Sequence, residues 1–352
     1  MQFSTMIPLN EPIMTSEMKK AALDVLSSEK LVLGESVFKF EENFAKYIGV
    51  DHAVSCSSGT MALWLILQSM PQVKKIVIPA NTFHTMASVA KLQNIEIEFC
   101  DVAFDACMPK RKTKPNEYLL ATHLYGNYCS AAKCERVIED CSQAAGLSHS
   151  GRRAGSFGEA GFFSLYTTKN LTCGGDGGII TTNNAEIADK CRSLANCGRM
   201  PGKDSNEHLV AGITSRLNTV NAAIANIQLK YLDNWNLHRM FVRSWYAENL
   251  RTLRPTFHPS IISDGVCHQM VMYVNGSRDE LRQFLRKNNV ETGIHYPVPL
   301  HKQVPFYQPN LELPIAEELS EHIVSLPISP RLSKRKVKHV CNLIAKWRSE
   351  YD

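Results

Sequence analysis

The sequence predicts an α/β protein with two unequal domains. The large domain is built on a mostly parallel sheet of the seven-stranded type, flanked by helices, and a smaller α+β domain lies at the C-terminus. Over the first three-quarters of the 352 residues, short apolar segments alternate with helical patterns. Strands separated by helices indicate a parallel sheet that is covered on both faces. After a long helical stretch, this alternation gives way to an isolated strand pattern and a short helix.

The first elements are helical. "SEMKKAALDVLSS" has apolar residues at helical spacing, and we expect Ser16 to cap it, whereas "GESVFKFEENFAKYIG" ends at Gly49. Seven apolar strand candidates then follow, separated by helical segments: "HAVSCS", "KKIVIPA", "IEIEFCDV", "YLLATHLY", "RVIEDCS", "AGFFSLY" and "GGIITTN".

The domain boundary is expected near residue 240. A long helical stretch, "TVNAAIANIQLKYLDNWNLHRMFVRSWYAENL", runs across that position. The segments "HQMVMYVNG", "RDELRQFLRKNNV" and "ETGIHYPVPL" then predict the smaller lobe. This gives a large domain over 1–240 and a small C-terminal domain over 241–352.

Charge and composition argue against a nucleic-acid partner. Hydrophobic residues make up 44% of the chain and charged residues 21%, which is typical of a globular protein, and the net charge is only +5. Aromatic residues do not interleave with the two short basic clusters, so we interpret both as solvated faces. The clusters are Lys110, Arg111, Lys112 and Lys114, and Lys334, Arg335, Lys336 and Lys338.

Cysteine use predicts reduced, mostly buried thiols rather than disulfides or a metal site. The eleven cysteines form no Cys-x-x-Cys pair, and several lie inside apolar runs such as "IEIEFC". The opening "MQFSTMIPLNEP" lacks the basic start and apolar stretch of a signal peptide, and no run is long enough to cross a bilayer. We therefore expect a cytoplasmic protein with no membrane partner.

A candidate anion site lies where a strand runs into a helix. In "SCSSGTMAL", Gly59, Thr60 and Met61 present backbone N–H groups at a helix N-terminus, a geometry that suits phosphate. A capped helix with a turn of small residues would have the same sequence. The segment is neither a Walker loop nor a dinucleotide fingerprint.

Three further residues join the anion site as candidate functional residues. "VIEDCSQAAG" ends a strand at Asp140, and "FFSLYTTKNLTCGGDGG" places Lys169 between an apolar strand and a glycine cluster. Taken singly, the aspartate could cap a helix and the lysine could lie on the surface. Together with the anion site and the flat ring of Phe83, they are what pyridoxal phosphate needs: an amine for its aldehyde, a carboxylate for its ring nitrogen, amides for its phosphate and a ring to stack on it.

The chain resembles the sugar aminotransferases of the DegT/DnrJ/EryC1/StrS group, which are fold type I pyridoxal phosphate enzymes. The resemblance covers nearly the whole chain, in the order and spacing of the family. Its motifs here are "IPLNEP", "LGESVFKFEENFAKYIGVDHAVSCSSGTMAL", "IPANTF", "HLYG", "IEDCSQAAG", "FFSLYTTKNLTCGGDGG", "SRLNTVNAAIANIQL" and "GIHYPVPLH".

The resemblance implies roles for the matching residues. Lys169 would form the Schiff base with the cofactor, and Asp140 would pair with the ring nitrogen. Lys169 also argues against the dehydratase branch of the family, which carries histidine at this position. Gln143 would lie beside the ring hydroxyl, and Phe83 would stack on the ring. The phosphate site would consist of Ser164 with Gly59, Thr60 and Met61.

One segment departs from the family pattern. The usual "G-x-N-x-R", whose asparagine reaches the cofactor phosphate of the neighbouring subunit, reads "GITSR" here, so Thr214 replaces that asparagine with a shorter donor. The segment implies a homodimer with shared active sites. Arg216 from this segment, with Tyr296 and His301 from "GIHYPVPLH", are candidate substrate residues. A histidine between prolines is also common as packed loop structure.

The implied reaction is a two-stage amino transfer. Glutamate would leave its amino group on the cofactor as pyridoxamine phosphate, and a nucleotide-linked keto-sugar would then accept it, with Lys169 moving the proton. The set "EDCSQ", "GGDGG" and "SRLNT" resembles the branch acting on 3-keto sugars more than the 4-keto branch, and cyclic inosose ketones stay open. Two alternatives are a non-catalytic regulator that binds pyridoxal phosphate and a pyridoxal phosphate-dependent sugar dehydratase or lyase.

Overall fold

The computed structural model describes residues 5–105, 107, 109, 113–130, 136–200, 207–251 and 265–351. The basic cluster at 110–112 and Cys134 lie outside these residues. All ten described cysteines are free, and nine of them are buried. Within the described ranges, no helix combines the length and the apolarity that a membrane span requires.

The seven strand candidates all join one sheet. Its order is β1-β9-β8-β5-β4-β2-β3, and the contacts among β3, β2, β4, β5 and β8 are parallel. Strand β9 is antiparallel to both of its neighbours, β1 and β8, so the expected mostly parallel sheet is confirmed. The strands are β1 (His52–Cys56), β2 (Lys75–Pro79), β3 (Glu96–Cys100), β4 (Tyr118–Thr122), β5 (Val137–Asp140), β8 (Ala160–Ser164) and β9 (Gly178–Thr182). A small hairpin, β6 (Ser148–His149) with β7 (Arg152–Arg153), lies between β5 and β8 in the chain.

Helices cover both faces of this sheet. Phe162 and Phe163, successive residues of β8, enter two different apolar cores, as alternating strand side chains must when both faces are buried. The helices of this part are α1 (Ser16–Ser28), α2 (Glu35–Ile48), α3 (Gly59–Ser69), α4 (Thr85–Leu92), α5 (Ala185–Ala195) and α6 (Thr219–Leu229), with a short 3₁₀ turn at Leu124–Gly126.

Two local predictions about these helices had different outcomes. Gly49 ends α2 in a left-handed conformation with φ of 85°, as expected. The expectation that Ser16 caps α1 was wrong by one residue. Thr15 is the cap, because it has extended backbone angles and its side chain accepts a hydrogen bond from the N–H of Met18 at 3.2 Å.

The C-terminal part has its own sheet and core. The long helical stretch is two helices, α6 and α7 (Leu232–Leu250), divided at Lys230 and Tyr231. After α7 come β10 (Met270–Tyr273), α8 (Arg278–Lys287), 3₁₀ turns at Leu300–Lys302 and Val304–Phe306, α9 (Pro314–His322), β11 (Ile323–Leu326) and α10 (Lys334–Tyr351). Strands β10 and β11 pair antiparallel.

The N-terminus of the chain joins this second core. Ile7 is buried in it and forms a β-bridge with Val290. Residues near the start of the chain therefore pack with residues after 240. The boundary at 240 stays a prediction.

Candidate active site

A cavity of about 450 Å³ opens at the carboxyl ends of the parallel strands. This is where ligands bind in open α/β sheets. Its walls also include side chains from the segment before β10 and from the loop that precedes the Leu300–Lys302 turn. Eight of the residues expected from the sequence line it: Gly59, Thr60, Phe83, Asp140, Gln143, Ser164, Lys169 and Tyr296.

Lys169 lies just beyond the end of β8. Its backbone N–H donates to Tyr166 O at 2.9 Å, which closes a tight turn after the strand. The side chain is half-buried in the cavity wall. Burial lowers the pKa of the amine to about 8, and the charge of Asp140 opposes this fall. The amine is thus neutral in a sizeable fraction of molecules near physiological pH, as a nucleophile or a base requires.

Asp140 is the last residue of β5, and only 4% of it is exposed. Its Oδ1 accepts a hydrogen bond from the backbone N–H of Ser142 at 2.9 Å. Burial raises the pKa of this carboxyl, and Lys169 acts against the rise. Within the described residues no cation forms an ion pair with Asp140. A buried carboxylate without such a partner is costly, so a cationic N–H group of a ligand would stabilise it.

The N-terminus of α3 approaches the end of β8 closely. A Cβ placed on Gly59 would lie 2.9 Å from Ser164 Cβ, so only glycine fits there. Ser58 caps the helix by accepting the N–H of Met61 at 3.1 Å. Met61 does not line the cavity, and its N–H already has a partner in Ser58. The first-turn N–H groups of Gly59 and Thr60, with Ser164, are left to take an anion.

Gln143 is held by two hydrogen bonds that fix its amide. Its Oε1 accepts from the N–H of Tyr125 at 2.7 Å, and its Nε2 donates to Tyr296 Oη at 3.0 Å. The phenol of Tyr296 thus keeps its own proton to donate into the cavity. The ring of Phe83 lies 5.9 Å from that of Tyr296 and is 42% exposed, so one face is open to a flat ligand.

Three threonine hydroxyls in the cavity wall have no hydrogen-bond partner among the described residues. Thr82, Thr85 and Thr122 each bury their Oγ1 without a partner. Buried hydroxyls are rarely left unsatisfied, so these positions indicate a ligand rich in polar atoms. The set of groups fits pyridoxal phosphate: an amine with a lowered pKa, a buried carboxylate, helix amides beside a serine, and unsatisfied hydroxyls around them.

Three expected site residues are not brought to this cavity. Thr214 is exposed, with its Oγ1 3.1 Å from Cys197 Sγ, and Arg216 donates to Asn196 Oδ1 at 3.1 Å beside a separate small groove. His301 is fully buried, and its Nε2 lies 2.8 Å from Glu317 Oε1 at the start of α9. It packs as loop structure rather than facing the cavity.

Sequence reasoning missed two histidines in the wall. His268 comes from the segment before β10, and His295 from the loop that also carries Tyr296. Their only signal in the sequence was the motifs that contain them, "HQMVMYV" and "GIHYP", and nothing local shows that either faces Lys169.

His123, another wall residue, is tied to the core behind Asp140. Its Nδ1 accepts from the N–H of Cys129 at 3.0 Å, so its Nε2 donates to Glu139 Oε2 at 2.9 Å. Glu139 also accepts three backbone N–H groups, from Gly155, Phe157 and Gly158. Cys141 lies close enough that, with His123 and Glu139, it has the spacing of a set of metal ligands. Because the imidazole and carboxylate already satisfy each other, we interpret this cluster as structural.

Known proteins of one family resemble this chain along nearly its whole length. The sequence model of the DegT/DnrJ/EryC1/StrS aminotransferase family matches residues 12–345. A relative from Aneurinibacillus thermoaerophilus, named dTDP-3-amino-3,6-dideoxy-alpha-D-galactopyranose transaminase, is 33% identical over 352 residues, which cover 94% of this chain and 95% of the relative. A relative from Geobacillus stearothermophilus, named pleiotropic regulatory protein, is 31% identical over 357 residues, covering 94% of both.

The fold also matches solved structures. The crystal structure of DesV from S. venezuelae superposes with a TM-score of 0.89 at 29% identity. The match covers 99% of this chain and 100% of that one.

Proposed function

The chain belongs to the DegT/DnrJ/EryC1/StrS aminotransferase family, and we propose that it moves an amino group from glutamate to a nucleotide-linked keto-sugar. It is a sugar aminotransferase that depends on pyridoxal phosphate. The observation that carries the proposal is the pair formed by Lys169, an amine whose pKa is lowered to about 8, and the buried carboxylate of Asp140 in one cavity.

Different residues of the cavity would bind different parts of the cofactor. Gly59, Thr60 and Ser164 would take its phosphate, Asp140 its protonated ring nitrogen, and Gln143 the edge that carries the ring hydroxyl. Phe83 would cover one face of the ring. When bound, pyridoxal phosphate supplies an aldehyde that captures amines and a ring that accepts electrons.

Lys169 performs the proton transfer in this proposal. Its neutral amine would take the proton from the reacting carbon of the amino donor and pass it to the cofactor, and in the second stage it would take a proton back from the cofactor and deliver it to the sugar carbon. Asp140 keeps the ring nitrogen protonated throughout. The partly closed cavity limits the water that could compete for these protons.

For the acceptor, we favour a sugar with its ketone at carbon 3 over a 4-keto sugar. The combination "EDCSQ", "GGDGG" and "SRLNT" supports this choice. The name of the Aneurinibacillus relative, a transaminase for a 3-amino sugar on dTDP, also supports it. The nucleotide and the stereochemistry depend on the shape of the complete site.

A homodimer with shared active sites is part of the proposal. Thr214 and Arg216 lie outside the cavity of their own chain, and the exposed Thr214 would be available to a second subunit. Cysteines that are free and mostly buried support a reducing, cytoplasmic location.

A regulatory role is the second candidate, because the Geobacillus relative is named a pleiotropic regulatory protein. The intact pair of Lys169 and Asp140 supports catalysis over binding alone, since a regulator needs neither a base nor an electron sink. A lyase or dehydratase would share the cofactor, and the lysine at 169 supports transfer over the dehydratase branch.

The test is product analysis with matched acceptors. Purified protein, pyridoxal phosphate and glutamate are incubated with a dTDP-linked 3-keto sugar or its 4-keto isomer, and the product is examined by NMR. We expect an amine at carbon 3 and no product with Lys169→Ala. Amination at carbon 4 alone would overturn the 3-keto preference, and no amine from either sugar would remove the proposed acceptor class.

A further inference from the structure

The segment "IPLNEP" near the start of the chain has no role in the site described so far. Its backbone is hydrogen-bonded to the C-terminal part of the protein. The N–H of Ile7 donates to Asn289 O at 2.8 Å, and Leu9 O accepts from the N–H of Ile328 at 2.9 Å. The backbone that leads to the next residue, Asn10, is therefore anchored on both sides of its path.

The side chain of Asn10 bridges two groups of fixed polarity. Its Nδ2 donates to Thr168 O at 2.6 Å, and its Oδ1 accepts from Arg239 Nη2 at 3.4 Å. A carbonyl oxygen only accepts and a guanidinium only donates, so both contacts require the same orientation of the amide. The end of Asn10 that faces Thr168 is thus the donor.

The bond from Asn10 falls on the peptide unit that leads into Lys169. Thr168 O and the N–H of Lys169 belong to this one planar unit. The N–H donates to Tyr166 O at 2.9 Å, which is a local turn, whereas the bond to the oxygen comes from a residue 158 positions earlier. With both polar atoms bonded, the plane is fixed, and with it the Cα from which the lysine side chain departs.

Arg239 of α7 holds the other end of Asn10. The residue is 3% exposed, and its Nη1 donates to His268 O at 3.4 Å. Within the described residues no carboxylate forms an ion pair with it, and burial lowers the pKa of the guanidinium to about 10. It stays charged at neutral pH. A buried cation of this kind attracts the amide oxygen of Asn10, which turns the nitrogen toward Thr168.

We propose that Asn10 is a positioning residue for Lys169, because its amide fixes the peptide unit from which the lysine side chain departs. The inference rests on the proposed function, in which Lys169 reacts with the cofactor. A lysine side chain has several rotatable bonds, so the region that its amine can reach is set by the position of its Cα. A displacement of about 1 Å at a reacting group can cost about a hundredfold in rate.

Two substitutions of Asn10 remove the donor to Thr168 in different ways. Asn10→Asp keeps an oxygen for Arg239 and adds a negative charge, whereas Asn10→Ala removes both contacts and adds no charge. The matched control is Glu11→Gln in the same segment. The carboxylate of Glu11 lies 3.7 Å from Arg331, and its removal leaves the bond to Thr168 in place. The melting temperature is recorded for all three variants.

The first readout is hydrogen exchange in the cofactor-free protein, resolved to single amides. We expect the N–H of Lys169 to exchange about tenfold faster in Asn10→Asp and in Asn10→Ala, the scale of one lost hydrogen bond, and at the unmodified rate in Glu11→Gln. The amides of α5 serve as the reference. Unchanged exchange at Lys169 would overturn the proposal, and so would an equal acceleration at Lys169 and in α5, which indicates general loosening.

The second readout is the rate at which the cofactor-free protein attaches added pyridoxal phosphate, followed by the visible absorption band. At saturating cofactor we expect the rate constant to fall about tenfold in both Asn10 variants, while the affinity of the first, non-covalent step changes by less than about threefold. A fall in Asn10→Asp alone would mean that the added charge acts on the lysine, and a fall in Asn10→Ala alone would mean that only the contact with Arg239 matters.

Either of those results, or a loss confined to affinity, would contradict the positioning role. The failure of the proposed function has a different sign. An unmodified protein that forms no band with pyridoxal phosphate would count against the role of Lys169 itself. The exchange measurement needs no cofactor, so it would still decide whether Asn10 holds the peptide unit.

Discussion

Lys169 and Asp140 act on each other's protonation across one cavity. Asp140 is the last residue of β5, and Lys169 follows the end of its parallel neighbour β8. Burial lowers the pKa of the lysine to about 8 and raises that of the aspartate, and the opposite charge of each partner counters the effect of burial on the other. A protonated ring nitrogen of the cofactor would compensate the negative charge of Asp140. Lys169 would then lose the charge that stabilises its ammonium form, so cofactor binding favours the neutral amine.

The pH dependence of amino transfer follows from the lysine. A base works only when it is deprotonated, and the pKa of Lys169 is lowered to about 8. We expect the single-turnover rate of pyridoxamine phosphate-loaded protein with keto-sugar to rise with pH, with a midpoint no higher than about 8 because the bound cofactor also favours the neutral amine, and to level off by about pH 9. A flat profile, or one that falls with pH, would contradict the role of Lys169 as the base.

Asp140→Asn has opposite consequences with and without the cofactor. Folding raises the pKa of this carboxyl, so its ionisation destabilises the folded state above the unfolded pKa of about 4. The cofactor-free variant should gain about 1 kcal/mol in the free energy of unfolding at neutral pH, and the gain should vanish below about pH 4. Urea unfolding at the two pH values measures this.

With the cofactor bound, the same variant should lose about a hundredfold or more in amino-transfer rate, because a neutral amide does not keep the ring nitrogen protonated. The control is Asp189→Asn, at an exposed position on α5. It should change neither quantity. An Asp140→Asn enzyme of normal rate would refute the pairing with the ring nitrogen.

Gly59→Ala tests the phosphate site. The added Cβ would lie 2.9 Å from Ser164 Cβ and 3.1 Å from Ser164 Cα, so the start of α3 must move away from the end of β8. We expect cofactor affinity to fall by about tenfold, as measured by titration of the cofactor-free protein. The melting temperature without cofactor separates this from general destabilisation. Unchanged affinity would place the phosphate elsewhere.

Thr214 tests the shared active site. If the residue reaches the neighbouring subunit, Thr214→Asn should strengthen cofactor binding by about fivefold through a longer donor. The nearly isosteric Thr214→Val removes the hydroxyl and should weaken binding. Both are measured by cofactor titration at protein concentrations above the dimer dissociation constant. If neither variant changes the affinity, Thr214 does not take part in cofactor binding.

The residues at the ends of strands were predictable from the sequence, whereas contacts between segments distant in sequence were not. Asp140 and Lys169 stand out because parallel strands bring their carboxyl ends to one edge, and because each residue type has a defined task there. One error was local: Thr15 rather than Ser16 caps α1. The cap depends on backbone angles that one-letter patterns do not show.

The histidines show most clearly that the sequence alone does not reveal which side chains enter the cavity. His301 resembled a site residue but lies against Glu317, whereas His268 faces the cavity through contacts with Asn170 and Tyr125. Such contacts join segments about a hundred residues apart or more, and no local periodicity encodes them.

The central claim is that Lys169 and Asp140 form the site of a glutamate-driven amino transfer. The most direct measurement is the visible spectrum of the purified protein with pyridoxal phosphate, before and after glutamate is added. We predict an absorption band that fades with glutamate, returns when a suitable keto-sugar follows, and is absent in Lys169→Ala. A band that glutamate leaves unchanged would contradict the amino transfer from glutamate, and an identical band in Lys169→Ala would contradict the assignment of the lysine.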